Sequence, residues 1–121
     1  MKGHVQFINL EEDEKDIIIS FAITDAKTGI KSLLLHRQLF FEHILEDDEK
    51  GVVVSLEGDN FNCESADALK EIRITNNEIH IVSTRREYVL DVSNVDDKEI
   101  KGMVTLLYRQ NYDNRFTVKI A

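Results

Sequence analysis

The sequence contains no proline and no tryptophan, and it has one cysteine and five glycines among 121 residues. A single cysteine, Cys63, excludes a disulfide framework within one chain and favours a reducing compartment. The scattered glycines form neither a phosphate-binding loop nor a dinucleotide fingerprint. No stretch approaches the roughly 20 apolar residues of a membrane helix, and the first residues lack the apolar region of a secretory signal. We therefore expect a cytoplasmic protein that does not enter a membrane.

Positive charge is also scarce. The chain has 15 Lys and Arg residues against 23 Asp and Glu residues, which gives a formal net charge of −8 at pH 7. Residues 1–60 hold 6 basic and 13 acidic residues, whereas residues 61–121 hold 9 and 10. The excess is concentrated in two acidic runs, Glu11–Asp16 and Glu46–Glu49. General nucleic-acid binding depends on Lys and Arg that neutralise phosphates, so this charge balance argues against it.

Most of the chain alternates apolar and polar residues, which is the period of a β-strand. Ile17 to Ile23 is one such run, and the runs on either side of Asn76 and Asn77 predict a hairpin. Because asparagine tolerates positive φ, the pattern indicates a type I′ turn at these two residues. The length and the 42% hydrophobic content predict one domain over residues 1–121.

One segment has a helical period instead. Ile100, Met103, Val104 and Leu107 follow the i, i+3, i+4, i+7 spacing of one helix face, and Ser93 or Asn94 can cap the start. The predicted fold class is therefore α+β and mostly β. We expect a twisted antiparallel sheet or β-sandwich of about seven or eight strands, with one helix in the C-terminal half at about residues 96–110.

Candidates for catalysis or metal binding are few. The histidines do not have the close spacing of common metal sites, and the acidic runs lack the central glycine of a calcium loop. Cys63 lies beside Glu64 and no neighbouring cation would activate its thiol. We therefore predict no enzyme activity, no cofactor and no metal. The alternative is a small sheet-based ligand- or metal-binding protein or enzyme with a cavity near His36, His80 or Cys63. A structural subunit is a third interpretation.

The acidic runs favour binding to a basic protein, because complementary charge accelerates encounter and rejects wrong partners. The simpler interpretation is that the charge only keeps the protein soluble. Under the binding hypothesis the partner-binding residues lie in the two runs. They are Glu11, Glu12, Asp13, Glu14, Asp16, Glu46, Asp47, Asp48 and Glu49.

The order of features from Phe7 to Leu107 resembles the immunity protein 10 family of polymorphic-toxin and contact-dependent inhibition systems. The features are the acidic turn Glu11–Glu14, the segment Leu33–Gln38, the strand Gly51–Leu56, the hairpin Ile72–Val82 and the helix Asp96–Gln110. The resemblance implies that the protein neutralises a cognate toxin by direct binding. The implied partner is the C-terminal domain of a large secreted toxin, and a nuclease, for example an RNase, fits the acidic surface best. We expect a monomer or weak homodimer that binds neither nucleic acid nor membranes.

Overall fold

The computed structural model describes residues 2–25, 29–47, 50–57 and 67–121. These ranges contain eight strands, one short 3₁₀ turn (η1) and one α-helix. In chain order the elements are β1 (Lys2–Glu12), β2 (Asp16–Asp25), β3 (Gly29–Gln38), η1 (Glu42–Ile44), β4 (Val53–Leu56), β5 (Leu69–Ile74), β6 (Glu78–Ser83), β7 (Glu87–Asp91), α1 (Asp97–Gln110) and β8 (Thr117–Ile120). The predicted mostly-β fold with one late helix is confirmed.

All eight strands belong to one sheet with the order β4-β3-β2-β1-β7-β6-β5-β8. Most neighbours are antiparallel, but β1 runs parallel to β7 and β5 runs parallel to β8. The sheet predicted as antiparallel is therefore mixed, with parallel pairing at these two contacts. Alternation shows which side chains face the core, and it carries no information on the direction of the neighbouring strand. Parallel neighbours need a long connection, and the chain between β5 and β8 supplies one through β6, β7 and α1.

The sheet curls until the free edge of β4 reaches the start of β5. The Val54 N–H donates to the Asp67 carbonyl at 2.8 Å, and the Leu69 N–H donates to the Val52 carbonyl at 2.9 Å. The inward-facing side chains of the strands form the hydrophobic core. The apolar residues that are fully buried there are Ile19, Phe21, Ile23, Leu33, Leu35, Ile72, Ile79, Ile81 and Leu90.

Helix α1 packs mainly against β1 and β2 and completes this core. Met103 and Leu107, on the predicted apolar face, are fully buried. Gly102 allows the close approach, because a Cβ atom there would lie 2.8 Å from the Leu10 Cδ1 atom. The glycine that weakens the isolated helix thus has a packing reason. No helix in the described ranges is long and apolar enough to cross a membrane.

Two local predictions were wrong in detail. The helix N-cap is Asp96, whose carboxylate accepts the Lys98 N–H at 2.9 Å, and not Ser93 or Asn94. An aspartate one position before the helix satisfies an otherwise free N–H directly, so the earlier residues are not needed.

The β5–β6 hairpin forms where it was predicted, with Ile74 opposite Ile79. Neither Asn76 nor Asn77 has a positive φ, so the turn is not type I′. Instead the Thr75 hydroxyl oxygen accepts the backbone N–H of Glu78 at 3.2 Å, which fixes a different turn geometry.

Candidate functional site

The structure brings both acidic runs to one end of the curled sheet, which we call the acidic end. Asp16 is opposite Gln38 in the β2–β3 pairing, and the Leu39 N–H donates to the Lys15 carbonyl at 2.6 Å. The chain that leaves β3 therefore starts beside the β1–β2 turn and continues through η1 into the second run. The described carboxylates of the two runs at this end are Glu11, Glu12, Asp13, Glu14, Asp16, Glu46 and Asp47.

Some carboxylates of the first run have structural contacts. One Asp13 oxygen accepts the backbone N–H groups of Lys15 and Asp16 at 2.8 and 2.9 Å. These hydrogen bonds lower the pKa of Asp13 and close the β1–β2 turn. Glu12 forms an ion pair with Arg109 near the end of α1. The hairpin is therefore attached to the C-terminal end of the helix.

The second run is attached to the same region through Arg115. This guanidinium donates to the Asp47 carboxylate at 2.8 Å and to the Asp47 carbonyl at 2.7 Å. In the described part of the chain, Glu14 and Glu46 have neither a hydrogen bond nor an ion pair, and both are exposed. Asp48 and Glu49 lie outside the described residues.

A buried ionic network lies beneath the acidic end. Arg37 is fully buried and donates to both oxygens of Glu42 at 2.7 and 3.1 Å and to both oxygens of Asp113 at 2.8 and 3.0 Å. It also donates to the Gln110 carbonyl at 2.7 Å and to the Tyr112 hydroxyl at 2.9 Å. The Tyr112 ring lies over the guanidinium at 4.3 Å. One side chain therefore joins β3, η1, the end of α1 and the following turn.

The network shifts the pKa values of its members. Burial acts to raise the pKa of Glu42, but the hydrogen bonds from Arg37 and Tyr112 outweigh it and lower the value. Hydrogen bonds from Arg37 lower the pKa of Asp113 far below its ordinary range, and Arg115 adds to the effect. Burial, together with the hydrogen bond to Glu42, raises the pKa of Tyr112. All donors of Arg37 point at protein acceptors, so this network serves as a structural support.

Next to this network, η1 and the two residues before it form a small exposed apolar patch. The patch, which we call the η1 patch, consists of Phe40, Phe41 and Ile44, whose exposed fractions are 52%, 45% and 70%. The two rings meet edge to face with their centroids 4.7 Å apart. The Ile44 N–H donates to the Phe41 carbonyl at 3.1 Å, so these two side chains are one 3₁₀ turn apart and on the same side.

The opposite end of the sheet contains a cavity of about 530 Å³. Its lining residues are Lys2, Gly3, His4, Thr24, Asn77, Glu78, Val89, Asp91 and Ser93. Asp91 is central, because the Ser93 hydroxyl donates to it at 2.6 Å and His4 Nδ1 lies 3.1 Å from it. These contacts lower the pKa of Asp91, with the Ser93 hydrogen bonds contributing most. Since the carboxylate lies between the other two groups, the histidine is not positioned to activate the serine as a nucleophile.

The two histidines of the alternative interpretation, which lie in the described ranges, do not share one site. His36 contacts Asp16 at 2.7 Å near the acidic end, whereas His80 contacts Glu78 at 3.2 Å on β6. Neither histidine lines the cavity. Cys63 lies outside the described residues. Within the described ranges no group of three or more His, Cys, Asp and Glu side chains could hold a metal ion.

The chain matches no family model, no curated protein and no solved structure.

Candidate residues come from its own geometry, and two features of that geometry were not identified from the sequence. Arg37 continues the inward-facing phase of Leu33 and Leu35 on β3, and this period-two position was an available signal of its burial. The three-residue spacing of Phe41 and Ile44 would indicate a shared face only if a 3₁₀ turn were already assigned there.

Proposed function

We propose that this protein is an immunity protein that binds and neutralises a toxin domain with a basic surface through its acidic end. The observation that carries the proposal is the meeting of two acidic runs at one end of the sheet, although about thirty residues separate them in the chain. A clustered negative field attracts a basic protein and orients it before contact. A nuclease binds its substrate through a basic surface. A protein that covers this surface with its own carboxylates would therefore compete with the nucleic acid.

The carboxylates at the acidic end divide into two groups. Four already have partners in the fold: Glu12 and Asp47 pair with Arg109 and Arg115, Asp16 contacts His36, and Asp13 accepts backbone N–H groups of its own turn. Glu11, Glu14 and Glu46 are exposed and have no ion-pair partner among the described residues. An exposed carboxylate without a cationic partner can accept an incoming Lys or Arg without breaking an existing ion pair. We therefore assign first contact with the partner to these three side chains.

The test uses the C-terminal domain of the protein encoded immediately upstream in the genome. The proposal expects that this domain is toxic when produced alone and harmless when produced together with the immunity protein. The purified proteins should associate at a rate that falls steeply as salt rises, because screening removes long-range attraction. Unchanged toxicity on co-production, together with no measurable association, would reject the proposal.

A matched pair of triple variants locates the surface. Changing Glu11, Glu14 and Glu46 to Gln should slow association about tenfold at low salt, because the steering charge is lost. The control variant changes Glu78, Glu87 and Asp97 to their amides and removes the same net charge away from the acidic end. If both variants slow association equally, only the net charge matters and the site assignment fails.

A further inference from the structure

The η1 patch is unusual for an exposed part of such an acidic chain. Phe40, Phe41 and Ile44 together expose two aromatic rings and an aliphatic side chain within five residues. Isolated apolar residues on a surface are normal, but a contiguous group bordered by polar residues is characteristic of a binding site. Aromatic side chains near the centre of an interface supply much of the binding energy in protein complexes.

The support beneath the patch holds it in place before any partner arrives. Glu42 lies within η1 and is 8% exposed, because Arg37 and Tyr112 hold its carboxylate. At the start of the segment, the Leu39 N–H is fixed to the Lys15 carbonyl. A surface that is ordered before binding loses less conformational entropy when the partner docks. The anchored glutamate therefore positions its exposed neighbours.

Charged residues of both signs lie near the patch, with acidic residues in excess. Glu14 lies in the β1–β2 turn beside Lys15, whose ammonium is 5.7 Å from the centre of the Phe40 ring. Glu46 follows Ile44 by two residues on the other side. With two carboxylates and one ammonium among these neighbours, the net charge beside the patch is negative, which favours a cationic surface. A second copy of this chain fits poorly, because its own acidic end would bring like charges together.

We infer that the η1 patch is the energetic centre of the interface, and that it receives a basic protein segment in which apolar side chains lie between Arg or Lys residues. This inference rests on the proposed function and names the chemistry of the partner surface. The acidic residues accelerate encounter, and the patch sets how long the complex lasts. Loss of the patch should therefore raise the dissociation rate and leave the salt-dependent association rate nearly unchanged.

Two synthetic peptides of equal length and charge provide a direct test. One alternates arginine with leucine, and the other replaces each leucine with serine. Binding is followed through the amide chemical shifts of the labelled protein. We expect the arginine–leucine peptide to bind about tenfold more tightly and to shift the resonances of Phe40, Phe41 and Ile44. Equal affinity of the two peptides, or shifts confined to other regions, would overturn the inference.

Variants separate the patch from general apolar binding. Phe41→Ser and Ile44→Ser should each remove most of the difference between the two peptides. Ile30→Ser is the matched control, because Ile30 is 65% exposed at the other end of β3 and should leave the difference intact. All three changes affect exposed side chains, and the unfolding midpoint of each variant verifies that it folds. An Ile30→Ser effect as large as that of Phe41→Ser would contradict the assignment.

The outcomes also separate this inference from the proposed function. If the upstream-encoded toxin domain binds with a salt-dependent rate but Phe41→Ser does not change its dissociation, the inference fails and the proposed function stands. If that toxin domain does not bind but the peptide contrast maps to the η1 patch, the surface assignment stands and the proposed function fails. Self-association that Phe41→Ser abolishes would identify a second copy as the occupant and would overturn the inference.

Discussion

The two ends of the sheet each hold a basic side chain beside carboxylates, but they do so in opposite surroundings. At the acidic end Arg37 is fully buried, and its N–H groups lie within hydrogen-bond distance of six acceptor atoms. At the cavity end His4 has a 69% exposed side chain and one contact with Asp91. Water screens the second pair, so it contributes little to stability. Only the acidic end combines available charge with a rigid support, which is the combination that a preformed binding surface needs.

The largest effect should come from removing the buried cation. Arg37→Met removes the buried cation that lies between Glu42 and Asp113, and it leaves Asp113 with Arg115 as its remaining cationic partner. Breaking a buried ion pair from one side typically lowers the free energy of unfolding by about 3–5 kcal/mol. Urea unfolding followed by far-UV circular dichroism measures the change. Arg37→Lys should be intermediate, because an ammonium cannot reproduce two bidentate contacts.

Arg109→Met is the matched control for this comparison. Arg109 also belongs to the acidic end and pairs with Glu12, but its side chain is 54% exposed. Exposed pairs contribute about 0–1 kcal/mol, so this variant should remain close to the wild type. If Arg37→Met is as mild as Arg109→Met, the buried network is not the support of the acidic end.

A smaller effect should appear when pH is lowered. The pKa values of Glu42 and Asp113 are lowered from ordinary values of 4.5 and 3.8. The two carboxylates therefore stabilise the fold fully when the pH is above their ordinary pKa values. This stabilisation is lost as the pH falls through their lowered pKa values. Arg37→Met removes the largest cause of these lowered pKa values. Its loss of unfolding free energy relative to the wild type should therefore shrink between about pH 6 and about pH 3. Urea midpoints at the two pH values measure the deficit, and a constant deficit would contradict the assignment.

The comparison also shows what the sequence could and could not predict. The alternation around Ile19 and the helical spacing around Met103 predict burial, because each depends only on local geometry. The parallel contact between β1 and β7 depends on how distant segments dock, and no local pattern encodes it. The Arg37 network has the same origin, because its carboxylates lie five and seventy-six residues away in the chain. The acidic runs were identified from composition, but their common location required the β2–β3 register.

The smallest effect concerns the cavity end, where neighbours in sequence hold the carboxylate. Hydrogen bonds from Ser93 lower the pKa of Asp91 more than the contact with His4 does. Ser93→Ala should therefore raise the pKa of Asp91 further than His4→Gln, as measured by titration of the carboxyl carbon resonance. The opposite order would show that the ion pair across β1 and β7 controls this carboxylate. The expected order would show that Asp91 is held mainly by a local turn, whereas the Arg37 network at the acidic end draws on several elements of the fold.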